Sequence, residues 1–335
     1  MIECHFSVMM AGAILNTINT RLDPEAIAFI LKHGKAKMVF VDPEFNEVIS
    51  RAIENIPEDK RPLLIKCKDE EFIKNSPLKN EITSDDLVEM GNNNSPLEWP
   101  ENEWDACSLN YTSGTTGDPK GVVYHHRGAW LTAISNQMVW SMGKHPIYLW
   151  TLPMFHCNGW CFPWTITALA GTHVCLRTVN AKNIYKSIAE HHVTHMCGAP
   201  IILSMIINAE KNEITQIDNK VNIMTAAAAP PPAILAGIEN KGFEVTHVYG
   251  LTEVYGPAVV CEWKEKWNSL EAGPKSEKKA RQGVQYPSLE ELSIRDPETM
   301  KAVPNDGKTL GEVMMRGNMV TVSYTHLTLP TILLV

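Results

Sequence analysis

The alternation of helix and strand patterns near the N-terminus restricts the fold of this 335-residue chain more than any other feature. Pro24, a residue favoured at the first helical position, opens a run of apolar residues at helical spacing that continues to His33. Residues 37–41 are typical of a buried strand, and the alternation continues with a helix over 43–56 and a short strand over 63–65. Helices that alternate with strands in this way predict an α/β fold with parallel sheet.

The composition is that of an ordinary globular protein. Hydrophobic residues make up 44% of the chain and charged residues 20%, so a packed core is expected. The net charge of -8 argues against nucleic acid as a partner, and any nucleotide site must draw its positive charge from nearby residues. The N-terminal residues do not resemble a secretory signal, and the most apolar region, 159–176, is too short and too polar for a membrane span. The eight cysteines include no Cys-x-x-Cys pair, which favours free thiols in a reducing, intracellular compartment.

A loop rich in glycine and threonine is the candidate functional centre. Residues 111–121 read Tyr-Thr-Ser-Gly-Thr-Thr-Gly-Asp-Pro-Lys-Gly. The glycines let backbone N–H groups converge on an anion, the hydroxyls add donors, and Lys120 adds a charge that suits a polyphosphate. Apolar segments at 106–110 and 122–123 flank the loop, so the local pattern predicts strand, loop, strand.

The loop has two other interpretations besides a phosphate site. A Walker P-loop needs a hydroxyl residue directly after its lysine and a helix after that, but Gly121 follows Lys120, so this interpretation fails. A polar surface loop without a ligand is the usual fate of such a composition. Only the length and order of the whole string argue against this second interpretation.

The string resembles the signature loop of the adenylate-forming superfamily, which includes acyl-CoA synthetases, peptide-synthetase adenylation domains and luciferases. Three further stretches match that family in the expected order, at 150–160, 249–257 and 311–317. Together they resemble in particular the plant acyl-activating enzymes and related bacterial short- and medium-chain acyl-CoA ligases. The resemblance implies, over 1–320, the large N-terminal domain of that α/β fold, with layered αβαβα sheets and the start of a β-rich subdomain.

The same resemblance predicts a chain that is truncated at both ends. Family members carry a substantial segment before the residues that match 6–15. Beyond residue 320 they continue with a Thr-Gly-Asp motif, a hinge and a small C-terminal domain that bears a catalytic lysine. Residues 321–335 instead form an atypical tail that does not look like native family sequence. The small C-terminal domain is therefore expected to be missing.

The resemblance also implies an ATP site. The residues implied in binding the phosphates are Thr112, Ser113, Gly114, Thr115, Thr116, Gly117 and Lys120. Those implied in binding adenine are Ala226, Ala227, Ala228, Tyr249 and Gly250. Family members usually carry glycine at the three alanine positions, and alanine replaces glycine without strain only where φ is negative.

The stretch 245–257 predicts a strand that runs into a tight turn. Its residues offer an aromatic face for a purine, a hydroxyl for a phosphate and a carboxylate for magnesium, although a strand with an ordinary glycine turn would look similar. By resemblance, Tyr249 stacks on adenine, Thr252 contacts the α-phosphate and Glu253 holds Mg²⁺.

His156 is the candidate on the acyl side of the site. A strand that ends near Pro153 would place His156 on a loop over the cleft. Taken alone, a histidine between Phe155 and Cys157 is more often a satisfied core residue. A zinc site that combines it with Cys157 and Cys161 has no second ligand pair at zinc spacing to support it. The resemblance implies a place near the acyl carboxylate and the path of the CoA thiol.

Three further residues are candidates for the acyl pocket. Trp160 is the candidate wall, although a tryptophan in this apolar stretch is a core aromatic by default. Gly198 and Ala199 follow a predicted strand, and ligands of open α/β sheets bind at the carboxyl ends of strands, so these residues are the candidate floor.

The implied function is ATP-dependent activation of a carboxylic acid, fatty of short or medium chain or aromatic, to acyl-adenylate and then acyl-CoA. His156, Lys120, Thr252 and Glu253 would carry the chemistry, with ATP, Mg²⁺ and CoA as cofactors and co-substrates. The alternative is a catalytically incomplete fragment that binds nucleotide or acyl group without turnover. Plant relatives suggest a peroxisomal or cytoplasmic location, but the chain ends in Leu-Leu-Val and carries no peroxisomal tripeptide.

Overall fold

The computed structural model of the chain describes residues 1–69, 82–92, 94–112, 119–227 and 230–321, and the backbone of 323–324. Ser113, Gly114, Thr115, Thr116 and Gly117 of the phosphate loop and Ala228 of the adenine segment lie outside the described residues. So does most of the tail, whose predicted foreign character stays a prediction.

The N-terminal region has the alternation that the sequence predicted. Its elements in chain order are α1 (Cys4–Met10), β1 (Leu15–Asn16), α2 (Pro24–His33), β2 (Met38–Val41), α3 (Asn46–Glu54), β3 (Leu63–Lys66), β4 (Ile82–Thr83) and α4 (Ser84–Glu89). The strands β2, β3 and β4 form a parallel sheet. Asp23 caps α2 by accepting a hydrogen bond from the backbone N–H of Ala26 at 2.9 Å.

The prediction that residues 37–41 form a buried strand was half wrong. Val39 and Val41 pack against α2 and α3, whereas Met38 and Phe40 on the opposite face are 41% and 38% exposed. The reason is that β2 is an edge strand of a small sheet whose helices cover one face, so side chains alternate between core and solvent.

The middle of the chain contains a β-hairpin followed by a larger sheet. Its elements are β5 (Ala106–Thr112), β6 (Lys120–His125), α5 (His126–Val139), β7 (Ile147–Trp150), the turn α6 (Cys157–Trp160), α7 (Phe162–Ala168), β8 (Thr172–Cys175), α8 (Ala181–His191), β9 (His195–Cys197), α9 (Pro200–Ile207), β10 (Val221–Thr225), α10 (Pro232–Glu239), β11 (Phe243–Leu251) and β12 (Gly256–Val260). The strands β5 and β6 pair antiparallel, so the predicted strand, loop, strand is confirmed.

The larger sheet has the order β13-β12-β11-β10-β9-β7-β8 in the described part of the chain, where β13 is Val284–Gln285. The five strands β7 to β11 run parallel, β12 runs antiparallel to β11, and β13 runs antiparallel to β12. Because β7, β9, β10 and β11 point the same way, the segments that follow them meet at one edge of the sheet. Three predicted motifs start there: the loop of His156, the alanine segment and the turn of Thr252.

The last elements are α11 (Ala272–Lys279), a hairpin of β14 (Glu291–Arg295) and β15 (Glu312–Arg316), and β16 (Ser323–Tyr324), which pairs with β6. The charged segment 263–281 is not a solvated loop, because its helix α11 packs against α10. Charged ends of its lysine and arginine side chains lie over the rings of Trp263 and Trp267, which adds cation–π contacts to this packing. No helix in the described ranges is long and apolar enough to cross a membrane.

Candidate active site

The two ends of the phosphate loop lie side by side at the open end of the β5–β6 hairpin. Thr112 is the register partner of Lys120 in that hairpin. Thr112 is half-buried and Lys120 is exposed. The described residues therefore bring the start and the end of the predicted phosphate loop together at one point, with the lysine free to reach into solvent.

A cleft of about 200 Å³ opens next to this point. Its lining comes from β5, from the loop after β7 and from the turn after β11, and consists of Thr17, Asn19, Leu22, Ile30, Asn110, Tyr111, Thr112, Pro119, Phe155, His156, Cys157 and Thr252. Three separately predicted residues, Thr112, His156 and Thr252, are thus brought to one cleft. These three residues line one cleft although 140 positions separate the first from the last.

His156 stands on the wall of the cleft with its imidazole open to the cleft space. Surrounding protein still removes enough water to lower the pKa of His156 below 6.5, so the ring is neutral at pH 7. Cys157 is buried behind it, with its Sγ 3.6 Å from the Thr252 hydroxyl, and burial raises the pKa of the Cys157 thiol to about 11. The wall therefore presents a neutral imidazole and an uncharged thiol to an anionic ligand.

The turn after His156 has an unusual backbone. Five consecutive residues, Cys157 to Cys161, have φ angles of 46°, 44°, 56°, 54° and 63°. For residues other than glycine, this left-handed conformation costs about 1–2 kcal/mol each. Gly159 relieves one position and leaves no room for a side chain, because a Cβ there would lie 2.8 Å from the Trp150 ring. Strain of this kind persists only where the surroundings impose it.

A buried polar cluster supplies those surroundings. The side-chain oxygen Oδ1 of Asn158 accepts a hydrogen bond from Asn110 Nδ2 at 2.5 Å and lies 2.8 Å from Ser108 Oγ, whose one proton it shares with the Leu15 carbonyl at 2.9 Å. Thr17 Oγ1 lies 3.1 Å from Asn110 Oδ1 and 3.2 Å from the carbonyl of Phe155. The residues Ser108, Asn110 and Asn158, which we call the amide clamp, are all buried.

A second fastening holds the turn of Thr252 and Glu253 against the hairpin. Tyr124 on β6 donates a hydrogen bond from Oη to the carbonyl of Thr252 at 2.8 Å, and its ring stacks on Tyr255 with centroids 4.0 Å apart. The hydroxyl of Tyr255 accepts from the backbone N–H of His125 at 2.7 Å. Gly128 makes room for Tyr255, because a Cβ at Gly128 would lie 2.4 Å from its ring. We call Tyr124, His125, Gly128 and Tyr255 the aromatic clasp.

Glu253 is the predicted magnesium ligand, and this role stays a prediction. Among the described residues, no group of three or more His, Cys, Asp or Glu side chains gathers at one point, so Glu253 would bring one protein carboxylate. Mg²⁺ suits such a site, since it usually keeps several waters and takes one or two carboxylates together with substrate phosphates. The backbone carbonyl of Glu253 accepts a hydrogen bond from Thr321 N–H at 2.8 Å, which fixes this turn from its other side.

The predicted adenine residues lie at the ends of β10 and β11. Tyr249 is half-buried against the core, and Gly250 allows β12 to approach closely, since a Cβ there would lie 1.7 Å from the Gly256 carbonyl oxygen. Ala226 is buried, and Ala227 is exposed with a φ of 83°. The condition that alanine replaces glycine only at negative φ is therefore violated at Ala227, which adopts a conformation that favours glycine.

The predicted acyl-pocket residues other than His156 do not line the described cleft. Trp160 is 4% exposed and packs in the core, and its carbonyl accepts a hydrogen bond from Asn136 at 2.8 Å. Gly198 is buried against Ile202, and Ala199 is the residue before α9. Trp160 is therefore a core aromatic, as its default interpretation predicts. Its role as a pocket wall stays a prediction.

Sequence reasoning missed the residues that hold the site rather than face it. Asn158 and Gly159 form an Asn-Gly pair, the dipeptide that most readily takes a left-handed turn, and this signal could have been read. Ser108 and Asn110 are polar residues in an apolar strand, which is a sign of a buried polar network. Tyr124 gave no signal of its own, because an aromatic residue is ordinary in a strand.

Comparison with known proteins identifies relatives along nearly the whole chain. The chain is 47% identical over 334 residues to the peroxisomal acetate/butyrate–CoA ligase AAE7 of Arabidopsis thaliana, a match that covers 97% of this chain. It is 44% identical over 337 residues to the peroxisomal trans-cinnamate:CoA ligase of Petunia hybrida, a match that covers 96% of this chain. The chain spans 59% of the length of each of these relatives.

Solved structures confirm the predicted fold. The chain is similar to the N-terminal domain of FACL13 from Mycobacterium tuberculosis, with a TM-score of 0.75 at 21% identity over 97% of this chain and 75% of that one. It is similar to the anthranilate CoA ligase AuaEII in complex with anthranoyl-AMP, with a TM-score of 0.78 at 22% identity over 96% of this chain and 59% of that one. The prediction of the large N-terminal domain of the adenylate-forming fold is therefore confirmed.

A protein family also matches the chain directly. The family described as AMP-binding enzyme covers residues 1–325. The motifs from which the sequence predicted this recognition lie inside that range, at 111–121, 150–160, 249–257 and 311–317. The chain belongs to the AMP-binding enzyme family.

Proposed function

We propose that this chain carries the substrate-binding part of an acid–thiol ligase, which uses ATP to convert a carboxylic acid to an acyl-adenylate and then to acyl-CoA. One observation carries the proposal. Thr112, His156 and Thr252 come from three motifs far apart in the sequence and line one cleft, beside the hairpin end that bears Lys120.

The proposed reaction has two halves. In the first, a carboxylate oxygen of the acid attacks the α-phosphorus of ATP, the bond from that phosphorus to the bridging oxygen breaks, and pyrophosphate leaves. In the second, the CoA thiol loses its proton and attacks the acyl carbon, and AMP leaves. Neither half needs a covalent bond to the protein, so the task of the residues is to orient the reactants and stabilise developing charge.

The phosphate side of the cleft suits the first half. Lys120 and the loop that begins at Thr112 would hold the β- and γ-phosphates, and the hydroxyl of Thr252 would donate to the α-phosphate. Mg²⁺ held by Glu253 would supply further neutralisation of phosphate charge. Adenine would lie by Tyr249 and Gly250 and the alanine segment.

The acyl side of the cleft suits a small acid. His156 would face the acid's carboxylate, and a neutral imidazole there could donate one hydrogen bond without forming a fixed ion pair. Trp160, Gly198 and Ala199 would extend the pocket only if the core beside them opens. The names of the relatives support acids such as acetate, butyrate and trans-cinnamate, and those names also support a peroxisomal location inside the cell.

Calorimetry of ATP binding in the presence of Mg²⁺ tests the proposal. The parent chain is compared with Lys120→Ala, Glu253→Ala and the control Lys211→Ala, an exposed lysine in the loop before β10 and so at the opposite edge of the sheet. We expect both site variants to weaken binding by about tenfold or more, since each removes a charged contact, and the control to match the parent. Equal affinity in all four proteins would overturn the assignment of the phosphate site.

Release of pyrophosphate in the presence of the acid separates the two functions that the sequence left open. The two functions are an acid–thiol ligase and a fragment that binds nucleotide or acyl group without turnover. Acid-dependent release over many cycles would support the ligase and reject the incomplete fragment. Binding of ATP without release would support the fragment.

A further inference from the structure

The amide clamp and the neighbouring Thr17 connect three segments of the chain at the cleft. Thr17 belongs to the segment after β1, Asn110 lies on β5 two residues before Thr112, and Asn158 lies in the turn after His156. The contacts among these three residues are buried, and the part-buried contact of Thr17 with the Phe155 carbonyl joins positions 138 residues apart. The clamp is therefore placed to relate the start of the phosphate loop to the wall that carries His156.

The left-handed turn depends on this connection. Asn158 has φ 44° and ψ 51°, and its neighbours on both sides also have positive φ. Asn158 and Gly159 take this conformation readily, but Cys157, Trp160 and Cys161 do not, so contacts from outside the turn must hold it. Asn158 Oδ1 is the side-chain atom of the turn that receives donors from β5, while Asn136 Nδ2 donates to the Trp160 carbonyl at its far end.

We infer that the amide clamp positions the wall of the cleft: Ser108 and Asn110 hold the Asn158 side chain, which fixes the left-handed turn and so places His156 and Cys157 beside Thr252. Asn158 is buried completely, so it acts through the turn and does not touch substrate. The three clamp members are positioning residues. The inference rests on the proposed function only for what this wall binds.

The geometry of Asn158 provides a matched pair of variants. Its oxygen accepts both hydrogen bonds, whereas its Nδ2 has no hydrogen-bond partner among the described residues. Asn158→Asp keeps the acceptor and replaces the unpartnered amide by oxygen, although it also buries an ionisable carboxyl group. Asn158→Gly removes the acceptor but leaves a residue that takes the left-handed conformation easily, so its effect comes from the lost side chain. Ser108→Ala, which removes one of the two donors, is a milder third variant.

The readout is the alkylation rate of each cysteine in the native protein, measured peptide by peptide by mass spectrometry without ATP or acid. Cys157 reports the wall, because it is buried beside His156. Cys197 is buried on β9 outside the turn and reports global unfolding. The ratio of the two rates separates a local release of the wall from a general loss of stability.

We expect Asn158→Gly to raise the ratio of the Cys157 rate to the Cys197 rate by about tenfold, as the loss of two ordinary hydrogen bonds predicts, and Ser108→Ala to raise it less. Asn158→Asp should raise it less than Asn158→Gly does, because it keeps the acceptor for the donors from β5. The inference is overturned if the ratio stays at the parent value in both Asn158→Gly and Ser108→Ala, or if Asn158→Asp raises it as much as Asn158→Gly. Should Asn158→Gly fail to fold, Ser108→Ala against the parent decides.

This outcome is independent of the ligase proposal. A wall released without its clamp would support the positioning role even if ATP did not bind to the parent. The converse outcome is that the clamp variants keep the parent ratio of the Cys157 rate to the Cys197 rate while the parent binds ATP. That outcome would overturn the positioning role of the clamp and leave the proposed phosphate site unaffected.

Discussion

The aromatic clasp and the amide clamp hold two walls of the same cleft by different means. In the clasp, Tyr124 and Tyr255 are fully buried, their rings stack, and both hydroxyls have hydrogen-bond partners. In the clamp, small polar side chains hold a strained turn, and Asn158 Nδ2 has no partner in the described part of the chain.

The difference indicates what each fastening contributes. Burial of two large aromatic side chains with satisfied hydroxyls stabilises the fold, since aromatic residues bury the most apolar area. A clamp that opposes left-handed strain and leaves a polar atom unpaired adds little net stability, because much of its hydrogen-bond energy offsets these costs. We expect changes in the clasp to lower the free energy of unfolding and changes in the clamp to move the cleft wall.

The largest effect should come from filling the space that the clasp uses. Gly128→Ala places a Cβ 2.4 Å from the Tyr255 ring, which buried neighbours hold in place. We expect a loss of about 2–3 kcal/mol in the free energy of unfolding, measured with urea. Alanine is the better helix former, so the loss is steric.

Gly143→Ala is the control for this change. A Cβ there meets nothing within 4 Å, so we expect a change within about 0.5 kcal/mol of the parent. If Gly128→Ala behaved like this control, the clasp would have room to spare and its contrast with the clamp would fail.

A smaller effect should follow from removing one hydroxyl of the clasp. Tyr124→Phe keeps the ring stack but leaves the carbonyl of Thr252 without this donor, so we expect a loss of about 1 kcal/mol in the free energy of unfolding. Tyr286→Phe is the matched control, since Tyr286 is also fully buried but its hydroxyl lies 3.4 Å from Asn136 Oδ1. The two variants should differ in urea unfolding, and equal losses would mean that the bond to Thr252 has no special weight.

The sequence predicted the parts of this molecule that local patterns encode. The helix over 24–33 has the predicted bounds, because its capping residue and apolar spacing are local signals. The strand, loop, strand around the phosphate loop followed from glycines between apolar segments. The cleft residues Thr112, His156 and Thr252 were likewise readable, since each belongs to a motif that stands out in the sequence.

Neither fastening could be predicted, because each depends on pairs of residues far apart in the chain. Tyr124 and Tyr255 are separated by 131 positions, and Asn110 and Asn158 by 48. Such pairs form only once the sheets are in place, and no local spacing encodes them. Edge or centre position in a sheet is a property of the same kind, which is why β2 was predicted to be more buried than it is.

Ala227 is a second left-handed residue, and it lies outside the clamp, so it tests the cost of this conformation by itself. It has a φ of 83° and an exposed side chain, so it has the strain of Asn158 without burial of its side chain. Ala227→Gly should raise the free energy of unfolding by about 0.5–1 kcal/mol, as relief of the strain exceeds the extra entropy of glycine in the unfolded chain. The buried neighbour Ala226 is the control, and Ala226→Gly should lower the free energy by about as much. Thermal or urea unfolding of the pair measures both signs, and a loss at both positions would contradict the strain argument.

The smallest effect concerns pH. The clasp contains a histidine, His125, that can be protonated in mild acid, whereas the clamp contains no such group. The Nδ1 of His125 accepts a hydrogen bond from the backbone N–H of Gly128 at 2.9 Å, so this nitrogen must be unprotonated to cap α5. Burial lowers the pKa of His125 below 6.5; the positive charge of Arg127 and neighbouring His126 act in the same direction, while the Val320 carbonyl and Glu103 oppose it.

A histidine whose pKa is lowered by folding stabilises the protein fully above pH 6.5, and that contribution is lost as the pH falls below 6.5 towards the folded pKa. His125→Asn keeps a side chain that caps helices and removes the titration. We expect the free energy of unfolding to fall less steeply between pH 6.5 and 5 in His125→Asn than in the parent. His5 and His195, whose pKa values burial lowers to about 4, contribute equally to both proteins and cancel in the comparison. Parallel curves of the free energy of unfolding against pH would show that protonation of His125 does not destabilise the clasp. The clasp and the clamp would then differ in packing alone.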